Sequence, residues 1–322
     1  MRHSRLPKRW HRMIIGIGCL AYDRVLVTAT TWADGKGRIV RQETRFGGNV
    51  RNALATIAEL DQPAPTTAAY LATIGTSNLG TQATADLQKH RIDTTFVERV
   101  AGADPVTSTL IITADGERYV AFDDAELVAT PLPSKATVAA ALAKADVLLV
   151  DAPAVPSGSL EVVQRARAAG VPVVLDADRD PSPEVLALID VADHVVIPRG
   201  FGAQLAEVTD PQDICERLWN KSRSAVVLTD GPNGSYACAE PGTVLHVPAI
   251  PVSAVDTTGC GDAFHGGYAW SLRRGDDMEI RLRIGSAAAA VVASLPPGAP
   301  RIPSRDAVSR LIPTLSLGHS HL

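Results

Sequence analysis

The residues best suited to chemistry lie close together in Asp256-Thr-Thr-Gly-Cys-Gly-Asp262, followed by Ala-Phe-His-Gly266-Gly267. Gly259 and Gly261 flank Cys260 just ahead of a stretch with helical spacing. Backbone N–H groups of Gly259, Cys260 and Gly261 can converge on an anion there, and the start of the helix adds partial positive charge. Small residues are needed because a phosphate oxygen must come within hydrogen-bonding distance of the chain. Asp262 falls in the first turn, beside the point where phosphate charge would develop. A carboxylate so placed can take the proton from an attacking hydroxyl, the general-base role in phosphoryl transfer. Alternatively, Asp262 would only cap a helix and the glycines only make a turn. The density of Asp-Thr-Thr-Gly-x-Gly-Asp before Gly-Gly favours the chemical reading.

A second glycine-rich segment, Gly47-Gly48-Asn49-Val50-Arg51-Asn52, opens a helical stretch about two hundred residues earlier. Together, in this order, the two motifs resemble the N- and C-terminal signatures of the ribokinase-like (PfkB) carbohydrate kinases, a likeness running over residues 13–313. The resemblance implies a three-layer α/β/α fold with a mostly parallel central sheet, covered by a small β-sheet lid. It also implies ATP and Mg2+ as cofactors and transfer of the γ-phosphoryl group to a hydroxyl of a sugar. By it, Asp262 is the catalytic base and Gly259, Cys260 and Gly261 form the anion hole. Asp23, Gly47, Gly48 and Asn52 match the sugar-binding positions. Leu228-Thr-Asp-Gly-Pro-Asn-Gly234 resembles the family's nucleotide loop, giving Thr229, Gly231 and Gly234. Ser286 matches an adenine-side position. Asp256 and Thr258 match positions whose carbonyls hold a monovalent cation in relatives, which makes potassium a candidate cofactor. The lid of relatives often mediates dimers, so a homodimer is an open expectation.

The chain departs from the family pattern at three places. The usual Asn-x-x-Glu after the strand at His194–Pro198 is replaced by Arg199-Gly-Phe-Gly202, and Asp176, Asp178 or Glu207 are candidates to compensate. Ser77 stands where an acidic residue is common. Arg51 beside Asn52 is either an exposed helix residue or a contact for an anionic substrate.

The elements that must hold these residues follow from periodicity. Met13–Gly18 reads as a buried strand, and 24–30 with 38–44 as a hairpin turned at Asp34-Gly35. Val50, Ala53, Leu54, Ile57 and Leu60 fall on one helical face. Strand 68–74 and helix 79–87 follow, then a hairpin at 107–113 and 117–122 turned at Asp115-Gly116. From residue 136 helices and apolar strands alternate, as in a sheet buried on both faces. Helices are expected at 261–273, 278–293 and 305–312. Lid strands are expected within 22–45 and 95–122, with a flexible leader at 1–12 and a flexible tail at 314–322.

With 322 residues, 46% hydrophobic and 20% charged, the chain can bury a large core. Its net charge of −4 gives no electrostatic footprint for nucleic acid. No apolar run reaches the length of a membrane span. The four cysteines are scattered, which fits a reducing, cytoplasmic setting. Two other functions compete. Gly16-Ile-Gly18-Cys-Leu-Ala21 with Asp34 fits a dinucleotide fingerprint, but the following segment is strand-like where a helix is required. The missing Asn-x-x-Glu also allows a non-catalytic sugar-binding or regulatory protein on the kinase fold. Among kinases, a nucleoside kinase of the same family is the alternative to a sugar kinase.

Overall fold

The computed structural model describes residues 12–31, 35–114, 118–122, 130–152, 155–254, 256–296 and 299–312. The expected leader (apart from residue 12), the tail and the turn at Asp115-Gly116 lie outside the described residues. The first half comprises β1 (Met13–Ile17), β2 (Ala21–Thr28), β3 (Ile39–Gly47), α1 (Asn49–Leu60), β4 (Ala68–Tyr70), β5 (Ala72–Ile74), α2 (Asn78–Lys89), β6 (Val97–Arg99), β7 (Val106–Ile112) and β8 (Arg118–Phe122). Next come α3 (Lys135–Lys144), β9 (Ala145–Asp151), α4 (Ser159–Ala168), β10 (Val173–Asp176), α5 (Pro183–Val191), β11 (His194–Pro198), α6 (Arg199–Ala206), α7 (Pro211–Leu218) and β12 (Ala225–Thr229). The chain then adds β13 (Ser235–Glu240), β14 (Thr243–Val247), α8 (Cys260–Arg274), α9 (Met278–Ala293) and α10 (Arg305–Leu311).

Among the described residues the main sheet has eight strands in the order β14-β13-β12-β11-β10-β9-β1-β4. It is parallel from β12 to β4, and β13 and β14 extend it antiparallel. The apolar runs of β9, β10, β11 and β12 are fully buried because helices cover both faces. On one face Leu54, Ile57, Tyr268 and Leu282 of α1, α8 and α9 form the core. On the other, Val163, Leu188, Phe201 and Ile214 of α4, α5, α6 and α7 do so. The three-layer expectation therefore holds.

A separate four-stranded sheet, β3-β2-β7-β8, is the expected extra sheet. Its two expected hairpins are joined by parallel pairing of β2 with β7, which sets Asp23 opposite Ser108. The expected single strand over 68–74 divides at Leu71. β4 pairs with β1, whereas β5 pairs with β6 in a sheet of its own, so residues 97–99 lie outside the four-stranded sheet. After Gly18 the chain enters β2 and not a helix, which removes the dinucleotide reading; Asp34 lies outside the described residues.

Candidate active site

Parallel registration places Asp151, Asp176, Pro198 and Thr229 along one edge of the sheet, at the carboxyl ends of β9 to β12. Open α/β sheets bind ligands at that edge. α8 begins close by. Its N-cap is Gly259 at φ 77°, a left-handed conformation that a Cβ would strain. Asp262 lies in the first turn.

The paired glycines further along α8 decide what Asp262 meets. A Cβ on Gly266 would sit 2.5 Å from the Ala53 carbonyl oxygen and 2.8 Å from Thr56 Cβ. One on Gly267 would sit 3.1 Å from Gly285 Cα. The pair thus lets α8 lie directly against α1 on one side and α9 on the other. The close approach brings the two sequence motifs together, and Asn52 Nδ2 donates to Asp262 Oδ2 at 2.8 Å. Gly266→Val should push α1 from α8 and cost on the order of 3 kcal/mol. A denaturant titration reads this as a lower midpoint at unchanged slope.

Arg51 is neither solvent-facing nor available to a substrate. Its guanidinium is buried, with Nε and Nη2 donating to Asp86 Oδ2 at 2.9 and 2.5 Å. Its Nη1 donates to Asn52 Oδ1 at 3.1 Å. A guanidinium offers only donors, so the atom it faces on Asn52 must be the oxygen. The Asn52 NH2 is thereby turned toward Asp262. His90 Nε2 lies 3.6 Å from Asp86 Oδ1, and burial together with Arg51 lowers the His90 pKa.

Asp23 accepts a 2.6 Å hydrogen bond on Oδ1 from Ser108 Oγ. Its Oδ2 lies 2.6 Å from where a Cβ on Gly47 would stand, so only glycine leaves that oxygen open. Gly48, at φ 103°, caps α1, and a Cβ there would collide with the Cys19 carbonyl. The Asp23 carboxylate is among the charges that raise the Asp262 pKa, so the two lie within electrostatic reach of one another.

Burial raises the pKa of Asp262 above the ordinary carboxylate value, and Asp178 and Asp23 add to this, while Asn52 and His265 oppose it. Asp176 and Asp151 are also pushed well up, first by burial and then by neighbouring carboxylates including Asp262. Asp151 accepts from the Cys19 amide at 3.4 Å and from Asn49 Nδ2 at 3.3 Å. His265 sits beneath this group, with Nε2 3.5 Å from Asp176 Oδ1 and Nδ1 2.8 Å from the Gly261 carbonyl oxygen. Asp151 and His265 were not singled out from the sequence. The signal for Asp151 in the sequence is a carboxylate that ends the apolar run Val147–Val150.

Thr229 ends β12, and the loop after it is closed by Asp230 N donating to the Gly234 carbonyl at 2.8 Å. Gly231 and Gly234 have φ of 50° and 96°. Arg199, where the Asn-x-x-Glu motif would begin, opens α6 and pairs with Asp230 Oδ2 at 3.0 Å. It therefore braces this loop and offers no metal ligand. Glu207 ends α6 as an exposed left-handed residue. Ser77 caps α2 by accepting from Gly80 N at 3.1 Å and donates to Asp104 Oδ1 at 2.6 Å. Ser286 is half-buried on α9. The carbonyls of Asp256 and Thr258 both accept from the guanidinium of Arg301, a residue that no motif in the sequence marks.

Comparison with known proteins agrees with the fold. The model of the pfkB family carbohydrate kinases matches residues 12–303. Mouse ribokinase is 25% identical over 70% of this chain and 71% of its own. An ATP-dependent ribose-1-phosphate kinase of Halopiger xanaduensis is 27% identical over 93% of this chain and 97% of its own. Among solved structures, Arabidopsis thaliana ribokinase complexed with ribose and ATP superposes with a TM-score of 0.80 at 21% identity, covering 97% of this chain and 100% of that one. With the family model spanning most of its length, the chain belongs to the pfkB family of carbohydrate kinases.

Proposed function

We propose that the chain transfers the γ-phosphoryl group of ATP to a primary hydroxyl of a sugar or sugar derivative, with Asp262 as the general base. The hydrogen bond between Asn52 and Asp262 carries this reading, because it unites the segment that resembles the family's sugar-binding motif with the carboxylate at the anion hole. The sugar sits between Asp23, Asn52 and the Gly47-Gly48 turn, under the four-stranded sheet acting as a lid. Asp262 accepts the hydroxyl proton as the oxygen attacks in line. The amides of Gly259 and Gly261 hold the equatorial oxygens of the transferring group, joined by that of Cys260 as it leaves the Thr257 carbonyl, to which it donates at 3.2 Å. ATP lies along Thr229, Gly231 and Gly234, with Ser286 on the adenine side. Closing the lid excludes water and limits wasteful hydrolysis.

Mg2+ fits the donor set in one respect. The described residues form no cage of three or more ligating side chains, but Mg2+ is commonly held by one or two carboxylates plus substrate phosphates. Asp176 and Asp178, whose charges repel Asp262 and one another, are the residues that would hold it. The ion would supply charge neutralisation on the phosphates.

The replacement of Asn-x-x-Glu favours a second reading, a sugar-binding protein that has lost catalysis. ADP release with Mg2+-ATP and a panel of pentoses, ketoses, acidic sugars and nucleosides separates the two. Sugar-dependent turnover supports the kinase, whereas calorimetric sugar binding without turnover supports the binding protein. A nucleoside preference in the same panel would make it a nucleoside kinase. Asp23→Asn removes a charged acceptor of hydroxyl hydrogen bonds, about 1.5–3 kcal/mol. It should raise sugar KM roughly ten- to a hundredfold, with ATP KM little changed.

No described helix is long and apolar enough to cross a membrane. A cytoplasmic setting is supported by four free cysteines. A homodimer through the lid is supported by exposed Ile39, Val40, Tyr119, Val120 and Phe122 on β3 and β8.

A further inference from the structure

The position where the family resemblance places a monovalent cation is already filled by a side chain. Arg301 is 5% exposed, although it lies in the loop ahead of α10. Its Nε donates to the Thr258 carbonyl at 3.0 Å, and its Nη2 to the carbonyls of Asp256 and, at 2.9 Å, Val292. Its Nη1 donates to the Leu295 carbonyl at 3.4 Å and lies 3.6 Å from Asp256 Oδ2. A guanidinium has five N–H groups, and five oxygens surround this one. Four are carbonyls and one is a carboxylate, the oxygen types a dehydrated alkali ion takes, and the Asp256 and Thr258 carbonyls are the two that the family resemblance assigns to one. No room for such an ion remains among them, so the residues present do not fit potassium.

The location gives the arrangement a purpose. Val292 lies in the last turn of α9, where helix carbonyls carry partial negative charge, and Leu295 follows just beyond its C-cap, Ser294. Asp256 and Thr258 lead directly into Gly259, the N-cap of α8. A Cβ on Gly259 would stand 3.1 Å from Arg301 Cβ, so the arginine stem also backs the first residue of the anion hole. One buried cation thus joins the end of α9 to the loop that presents the phosphate-binding amides.

We infer that Arg301 is a built-in replacement for a monovalent cation, a positioning residue that holds the anion-hole loop and makes the protein independent of potassium. The inference rests on the kinase reading for its activity arm, but its stability arm does not.

The test uses the full-length protein in potassium, sodium or choline chloride at matched ionic strength. The parent should show kcat/KM for ATP within about twofold, and the same melting temperature, in all three salts. Arg301→Ala in choline should melt several degrees lower and lose about a hundredfold in kcat/KM, the scale of a misplaced catalytic loop. Guanidinium at millimolar concentration, or potassium, should restore a substantial part of both losses. Arg301→Lys should keep more activity in choline than Arg301→Ala. A parent activated severalfold by potassium, or stabilised by it beyond choline, would overturn the inference. So would an Arg301→Ala protein that is parent-like in choline, or one that folds and responds to no cation. If no sugar gives turnover with the parent, the kinase reading fails separately, and the melting measurements still decide the role of Arg301.

Discussion

Asp262→Asn should lower kcat by about 10²–10⁴ while changing sugar KM much less, as expected when a general base is removed. The substitution keeps the volume, and an amide oxygen can still accept from Asn52 Nδ2, so binding geometry survives while proton acceptance does not. The pH profile gives an independent check. The pKa of Asp262 is raised, chiefly by burial, and the base works only when ionised. Parent kcat/KM should therefore fall as pH drops through that raised value, about tenfold for each unit below it. The residual activity of Asp262→Asn should lack this limb. Steady-state rates across pH, with sugar and ATP each varied, measure both effects.

Arg51→Met should cost about 3 kcal/mol of stability and roughly tenfold in kcat. Removing one partner of a buried pair leaves the other charge without compensation, here Asp86, whose side chain is 16% exposed. The catalytic loss has a different origin. Without the Arg51 donor on its oxygen, the Asn52 amide is free to rotate, and its NH2 no longer points steadily at Asp262. Arg51→Lys should not restore the effect, because an ammonium cannot reach Asp86 and Asn52 as a planar fork does. Arg51 also helps lower the His90 pKa, so its loss should raise that pKa in an NMR titration. Adding Asp86→Leu to Arg51→Met should recover part of the stability but not the rate, and this double-mutant comparison separates packing from positioning.

The sequence conveyed much of the frame because its cues were local. Continuous apolar strands such as 147–150 and 226–228 announced a sheet covered on both faces, and the confirmed fold depends on that pattern. The glycines around Asp262 were equally legible as a helix entrance. What periodicity could not convey was pairing across long separations. β4 and β5 look like one strand until β6 claims the second half. Arg51 looks like a surface residue until Asp86, thirty-five positions away, encloses its charge. Arg301, in a Pro-rich loop, carries no local mark of burial, since its acceptors are carbonyls and carbonyls belong to every residue type. α6 is faint in the sequence because Gly200 and Gly202 fall in its first turns, where glycine weakens the helical signal.

The central claim is that the Asp262 carboxylate and the Gly259–Gly261 amides together move a phosphoryl group onto a sugar alcohol. Phosphorus NMR of the reaction mixture tests this most directly, with the purified protein, Mg2+-ATP and the sugar that gives turnover. The account predicts a new phosphomonoester resonance growing in step with ADP, and its near-absence over the same time with Asp262→Asn. Inorganic phosphate as the sole new resonance, or an ester formed by Asp262→Asn at the parent rate, would contradict it.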